Sequence, residues 1–209
     1  NCELCPRLAG FRRENTKTFP CYFNAPVPSF GPLSARLLIV GLAPGMKGAN
    51  RTGRPFTGDH AGNLLYTTLI KTGLASGTYT GELDDKLTLL RCRITNAVRC
   101  VPPKNKPIGS EIKSCRYFLN SEIKSMSNLQ AIIALGVTAH NSLIACLKLS
   151  PKNYAFKHSV IHKVSSDNKS LKLIDSYHCS RYNINTKRLS VEMFENVFET
   201  TARLLNLNE

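Results

Sequence analysis

At 209 residues the chain is long enough to bury one substantial core, and it is read as one domain over 1–209. No run of eighteen apolar residues occurs, which argues against a membrane-spanning helix, and no leader-like pattern precedes the first motif. With 28 Lys and Arg against 14 Asp and Glu the net charge is +14, spread along the chain, so the expected partner is a polyanion, nucleic acid first.

The chain opens on a C-x-x-C pair, Cys2 and Cys5. A short apolar run, Leu37–Val40, reads as a strand and ends at Gly41, where the loop GLAPGMKGANRTGRPFTGD occupies 41–59. Glycines such as Gly41 and Gly45 let a backbone approach a ligand closely. Lys47, Arg51 and Arg54 suit phosphate oxygens. Phe56 offers a flat face for a base. Asp59 offers a general base or electrostatic group, or simply the cap of a helix starting near Ala61. Neither G-x-G-x-x-G nor G-K-[ST] is present, so the loop is neither a dinucleotide fingerprint nor a P-loop.

A helix is expected over 61–72, then a strand Arg93–Val98 running into NAVRCVPP at 96–103. A helix over 110–126, a strand Ala131–Leu135 and a helix over 137–148 follow. Residues 150–170 are polar and read as an irregular excursion or a hairpin. The strand Leu171–Asp175 leads to HCSRYNINT at 178–186. The last helix, 190–206, carries the stripe Val191, Phe194, Phe198, Ala202 and Leu205. Strands alternating with helices predict an α/β fold, its parallel sheet covered on both faces. In such sheets function gathers at the carboxyl ends of the strands, where the three distinctive loops lie.

Eight cysteines in a long β/α chain read as metal or cluster ligands, or as buried hydrophobes, in a reducing intracellular (cytoplasmic) compartment. Cys100 and Cys115 form a second pair, which meets Cys2 and Cys5 only if the N-terminus folds back beside the second strand. Four thiolates suit zinc or an iron–sulfur cluster, and spacing alone leans to zinc. Cys115 also lies on the stripe Ile112, Cys115, Leu119, Ile123, so a core role competes. Cys21, Cys92, Cys146 and Cys179 compete for any ligand assignment.

GLAPG, NRTGRPFTGD, TNAVRC-PP-NKP and HxSRxNxxT follow one another as in the uracil-DNA glycosylase superfamily. Over nearly its whole length the chain resembles family 5, the type B enzymes that carry an iron–sulfur cluster. The resemblance implies an α/β/α sandwich around a four-stranded parallel sheet, and a [4Fe–4S] cluster on Cys2, Cys5, Cys100 and Cys115. It implies a monomer that excises uracil from DNA. No aromatic lies between Gly41 and Arg54 to exclude larger bases, so hypoxanthine and xanthine are expected substrates too. Extruding the nucleotide requires a donor near the base, an anion or ordered water near the sugar, and a stacking face. His178 is the expected donor, Asp59 the expected anion and Phe56 the stacking ring, with Asn96 on the base's polar edge. Gly41, Ala43 and Gly45 are expected to line the base site, and Ser180, Arg181 and Asn183 to meet DNA.

The chain departs from the family pattern at Met46-Lys47, where Ala-His is common, and at Cys179, where HPS is usual. Other superfamily members carry a polar residue in the first motif, as in GQDPY or GEAPG. Here Leu42 and Ala43 can activate nothing, which leaves Asp59 as the substitute. A family 4 enzyme, with glutamate at Leu42, and a cluster-bearing DNA-binding module without catalysis are the alternatives.

Overall fold

A computed structural model describes residues 2–166 and 169–206. The strands are β1 (Leu37–Gly41), β2 (Ala75–Ser76), β3 (Thr88–Leu89), β4 (Cys92–Asn96), β5 (Ala131–Leu135), β6 (Ile161–Ser166) and β7 (Lys169–Ser176). The helices are α1 (Pro6–Thr18), α2 (Ala49–Thr52), α3 (His60–Lys71), α4 (Gly109–Ser125), α5 (Val137–Cys146), α6 (Arg181–Asn185) and α7 (Val191–Leu204).

The main sheet has the order β4-β1-β5-β7-β6. The first four strands are parallel, and β6 pairs antiparallel with β7. β1 is buried along its whole length because helices cover both faces. Leu37 and Ile39 face the core under α3 and α7, and Leu38 and Val40 face the core under α4 and α5. These are the expected three layers, but the sheet has five strands rather than four. The extra strand comes from the polar 150–170 stretch, whose outward residues need no apolar signal because it forms an edge.

The opposite edge, β4, is closed by a bridge from Phe30, which exchanges backbone hydrogen bonds with Ile94 at 2.9 and 2.8 Å. The second strand stops at Asn96 rather than Val98. Ala97 and Val98 instead donate to the carbonyls of Gly41 and Leu42, at 2.9 and 3.0 Å, and lace the second loop to the first.

Helix α1 gave no apolar stripe, since Leu8 and Ala9 are its only buried hydrophobics. It folds back onto α4 and the loop after β4 through an ion pair, Arg7 to the buried Glu111 at 2.7 Å, and through Leu8 against Val98. No helix among the described residues is long and apolar enough to cross a membrane.

Candidate active site

The loops after β1 and β7 share one cavity of about 630 Å³, lined by Leu42, Ala43, Gly45, Asp59, His60, Asn105, His178, Ser180 and Arg181, among others. Asp59 is exposed and sits at the N-cap of α3. Its Oδ1 accepts from the Gly62 N–H at 2.9 Å, so the capping role is real. Its Oδ2 lies over the first loop, where a Cβ on Gly48 would stand 3.0 Å away and one on Gly45 3.3 Å away. One carboxylate thus caps with one oxygen and turns the other toward the glycines of the first loop.

His178 leaves β7 and forms the partition between this cavity and a second of about 380 Å³, lined by Leu42, Leu135, Gly136, Thr138, Phe156 and Tyr177, among others. Burial holds its imidazole below the ordinary pKa, with the Asp59 charge pulling weakly the other way, so the ring is neutral at pH 7. Its backbone is held from several directions. Asn183 Nδ2 donates to the His178 carbonyl at 2.8 Å, and the Gly136 N–H donates to the Ser176 carbonyl at 2.8 Å. The Tyr177 N–H donates to His158 Nδ1 at 3.1 Å, and the two rings stack. Cys179, where a proline is usual, is fully buried and its thiol donates to the Ala61 carbonyl at 3.5 Å. That contact ties the histidine loop to α3.

Phe56, Asn96 and Gly41 lie behind this wall. Phe56 is 6% exposed and its ring stacks on His178 with centroids 5.9 Å apart. A Cβ on Gly41 would collide with the Phe56 ring and with Asn96 Oδ1, so glycine is required there. Phe56 has a φ of +56°, costly for an aromatic residue. The strain is held by Tyr66, which donates to the Pro55 carbonyl at 2.6 Å, and by Tyr79, which donates to the Phe56 carbonyl at 3.2 Å.

Arg54 is a correction. It is 5% exposed, forms a bidentate pair with the fully buried Asp85 at 2.6 and 2.9 Å, and lies against the rings of Phe30 and Tyr66. It cannot reach a phosphate; it fastens the first loop, donating also to Thr57 Oγ1 at 2.8 Å. Arg51 is half-buried and pairs with Glu82 at 2.8 and 3.0 Å, which offsets its charge. Lys47 and Arg181 are exposed cations beside the cavity. Ser180 caps α6, accepting from the Asn183 N–H at 3.4 Å. Asn183 faces the His178 backbone, so its side chain positions the loop rather than meeting a ligand.

Sequence reasoning missed Asn105, which stands on the cavity wall at a φ of +56° and was legible only as part of the PP-NKP motif. It also missed His158, hidden in the polar stretch, and Tyr182, which is 71% exposed on α6 beside Arg181.

Cys2, Cys5, Cys100 and Cys115 line a separate cavity of about 660 Å³ with Leu8, Val98 and Phe118. All are free thiols. Burial raises Cys5 and Cys100 and pushes Cys115 up to about 11, so without a cation these groups stay protonated. Two N–H groups point at the sulfurs: Arg12 Nη1 at 3.2 Å from Cys100 and the Arg99 backbone at 3.3 Å from Cys115. Among the described residues no three cysteine sulfurs lie within 4.8 Å of one another. A single tetrahedral zinc needs sulfurs about 3.8 Å apart. Ala43 packs against this group and also lines the cavity that holds Asp59.

A family model of the uracil DNA glycosylase superfamily matches residues 28–202. The chain is 40% identical to the type-5 uracil-DNA glycosylase of Thermus thermophilus, covering 99% of this chain and 94% of that protein. It is 36% identical to the type-5 enzyme of Pyrobaculum aerophilum, over 97% and 88%. A type-4 uracil-DNA glycosylase of the same organism is 33% identical, over 69% and 60%.

Proposed function

The chain belongs to the uracil DNA glycosylase superfamily, and from that premise we propose that it flips uracil out of DNA and hydrolyses its N-glycosidic bond as a step of base excision repair. The observation that carries the reading is the convergence of Asp59 and His178 on one cavity at the carboxyl edge of the sheet.

As the bond breaks, the sugar gains positive charge and the base negative charge. The free Oδ2 of Asp59 orients water and stabilises the sugar cation. A neutral His178 donates its N–H toward the oxygen of the departing base. Phe56 and Asn96 meet the base only once the His178 side chain swings off the Phe56 ring, because both are covered in this conformation. Lys47 and Arg181 hold phosphates on either side, and Tyr182 fills the gap that the flipped nucleotide leaves. The first loop bears no aromatic between Gly41 and Arg54, which supports hypoxanthine and xanthine as further substrates. The enzyme acts as a monomer, since one chain supplies the whole site, in a compartment where thiols stay reduced.

Cys2, Cys5, Cys100 and Cys115 would hold a [4Fe–4S] cluster. Their shared cavity and the two N–H donors aimed at the sulfurs support a multi-iron group. Bound there, it would tie the segment before α1 to the loop after β4 and to α4, next to Ala43. The type-4 reading is weaker, because Leu42 stands where a glutamate is expected.

Incubation with a duplex carrying one uracil, followed by alkali, tests the activity. Strand scission at the uracil is the expected result, and duplexes with hypoxanthine and xanthine should also be cut. Tight DNA binding with no scission would leave the chain a binding module.

A further inference from the structure

Three titratable side chains outside both cavities meet beneath the antiparallel edge of the sheet: His140 on α5, His162 on β6 and Asp175 on β7. Their ligand atoms all lie within 4.8 Å of one another. The proposed reaction uses none of them. His162 pairs in register with Leu173, two residues from Asp175, so both side chains project to one face of the sheet. Asp175 is fully buried and His140 is 1% exposed.

His140 sets the chemistry. Its Nε2 is 2.9 Å from the Tyr154 carbonyl oxygen. A carbonyl only accepts, so Nε2 carries a hydrogen. Nδ1 is then the lone-pair side of the neutral ring, and it faces Asp175 Oδ1 at 2.8 Å. Two lone-pair atoms this close need a positive centre between them, either a proton or a cation. His162 decides between the two. Its Nε2 is buried, makes no hydrogen bond, and stands 3.4 Å from Asp175 Oδ2. That contact lacks hydrogen-bond geometry, so the buried nitrogen is poorly satisfied by the carboxylate alone. A proton shared by His140 and Asp175 does nothing for it, whereas a metal ion bound by all three satisfies every donor.

We propose that His140 Nδ1, His162 Nε2 and the Asp175 carboxylate form a binding site for a divalent transition cation, with zinc the best fit. Two imidazoles disfavour magnesium and calcium, which take oxygen donors. The Tyr154 carbonyl supplies the outer hydrogen bond that a metal-bound imidazole makes through its other nitrogen. Zinc bonds of about 2.0–2.2 Å set donors roughly 3.3 Å apart, so His140 and Asp175 open by about half an ångström. The His162 side chain is 12% exposed and gives the ion a way in. The ion would staple β6 and the Tyr154 segment to the body of the fold. That segment continues to His158, which accepts from the Tyr177 N–H beside His178.

The test uses the purified protein as isolated, equilibrated with zinc and passed through a desalting column. Metal analysis should find one zinc per chain beside the iron. Zinc-edge X-ray absorption should give a nitrogen and oxygen shell with imidazole scattering, and zinc should raise the melting temperature. His162→Gln should bind zinc roughly tenfold more weakly or worse, with iron content unchanged. A sulfur shell, no retained zinc, or equal affinity in His162→Gln would overturn the site. Should His162→Gln fail to fold, the wild-type absorption shell still decides.

Discussion

The cysteine cavity and the Asp59–His178 cavity are similar in size, and Ala43, which lines the second, packs against the cluster around the first, yet they are built on opposite terms. The first draws its four cysteines from the segment before α1, from α4 and from the loop after β4, and two of the four are buried among Leu8 and Val98. That cavity is built into the packed body of the fold. The second takes its residues from loops at one sheet edge. It leaves Asp59 exposed, with one carboxylate oxygen held by the Gly62 N–H, and it holds His178 through its carbonyl and through its ring against Phe56. That cavity opens beside an exposed carboxylate. A resident cofactor can be part of the core, whereas a substrate site must be held open by elements that would be stable without it.

The hardest way to break that contrast is Cys100→Ser. If the cofactor cavity is part of the core, iron content and folded yield should both collapse, and excision should fall with them. Iron per chain and circular dichroism measure this. A well-folded, fully active variant with one zinc would show the two cavities to be independent and the cluster reading to be wrong.

Arg54→Ala comes next. Breaking the buried pair leaves Asp85 uncompensated and should cost about 3–5 kcal/mol of stability in denaturant unfolding. The salt dependence of DNA binding should not change, because Arg54 never reaches solvent. A stable variant with a shallower salt slope would return Arg54 to the DNA surface.

Asp59→Asn separates chemistry from capping at a single atom. Asparagine caps as well as aspartate, so the melting temperature should hold. Single-turnover excision should fall roughly a hundredfold, the scale of a lost base or electrostatic group. Near-wild-type excision would reduce Asp59 to a cap.

His178 offers a smaller, pH-dependent test. Its folded pKa lies below the ordinary value, so the unfolded chain takes up more protons as pH drops. Its contribution is therefore fully present above the ordinary histidine pKa and is lost as pH falls through the folded value. Between pH 7 and pH 5 the wild-type melting temperature should drop further than that of His178→Ala. Equal drops would mean that the imidazole is not held neutral.

The smallest expected effect is electrostatic. Lys47→Ala should lower the salt slope of DNA binding by about one phosphate contact. Arg51→Ala should lower it less, because Glu82 already offsets that charge. Isotherms at several salt concentrations would rank the two.

Much of the fold was legible because buried parallel strands are short apolar runs and their covering helices carry stripes. β1, β5 and α7 were read within a residue or two at most ends. Helix α1 escaped and β6 was legible only as one arm of a possible hairpin, because neither buries an apolar face wide enough to leave a period; β6 pairs with the next strand, whereas α1 is held by partners distant in sequence. The functional loops were legible as motifs, and the structure brings Asp59 and His178 to one cavity.

Motif reading could not see which cations were free. Arg51 and Arg54 look alike in the sequence, but one is half-buried against Glu82 and the other is sealed over aromatic rings by Asp85. The amino-acid sequence by itself determined the element types, the residues available for chemistry and the family, because those depend on side-chain identity and local period. Only the tertiary structure decided whether a charge faces solvent or a buried partner, which oxygen of Asp59 caps α3, and that His140, His162 and Asp175 meet. Those depend on approach between residues far apart in the chain, where desolvation and pairing, rather than residue type, set what a side chain can do.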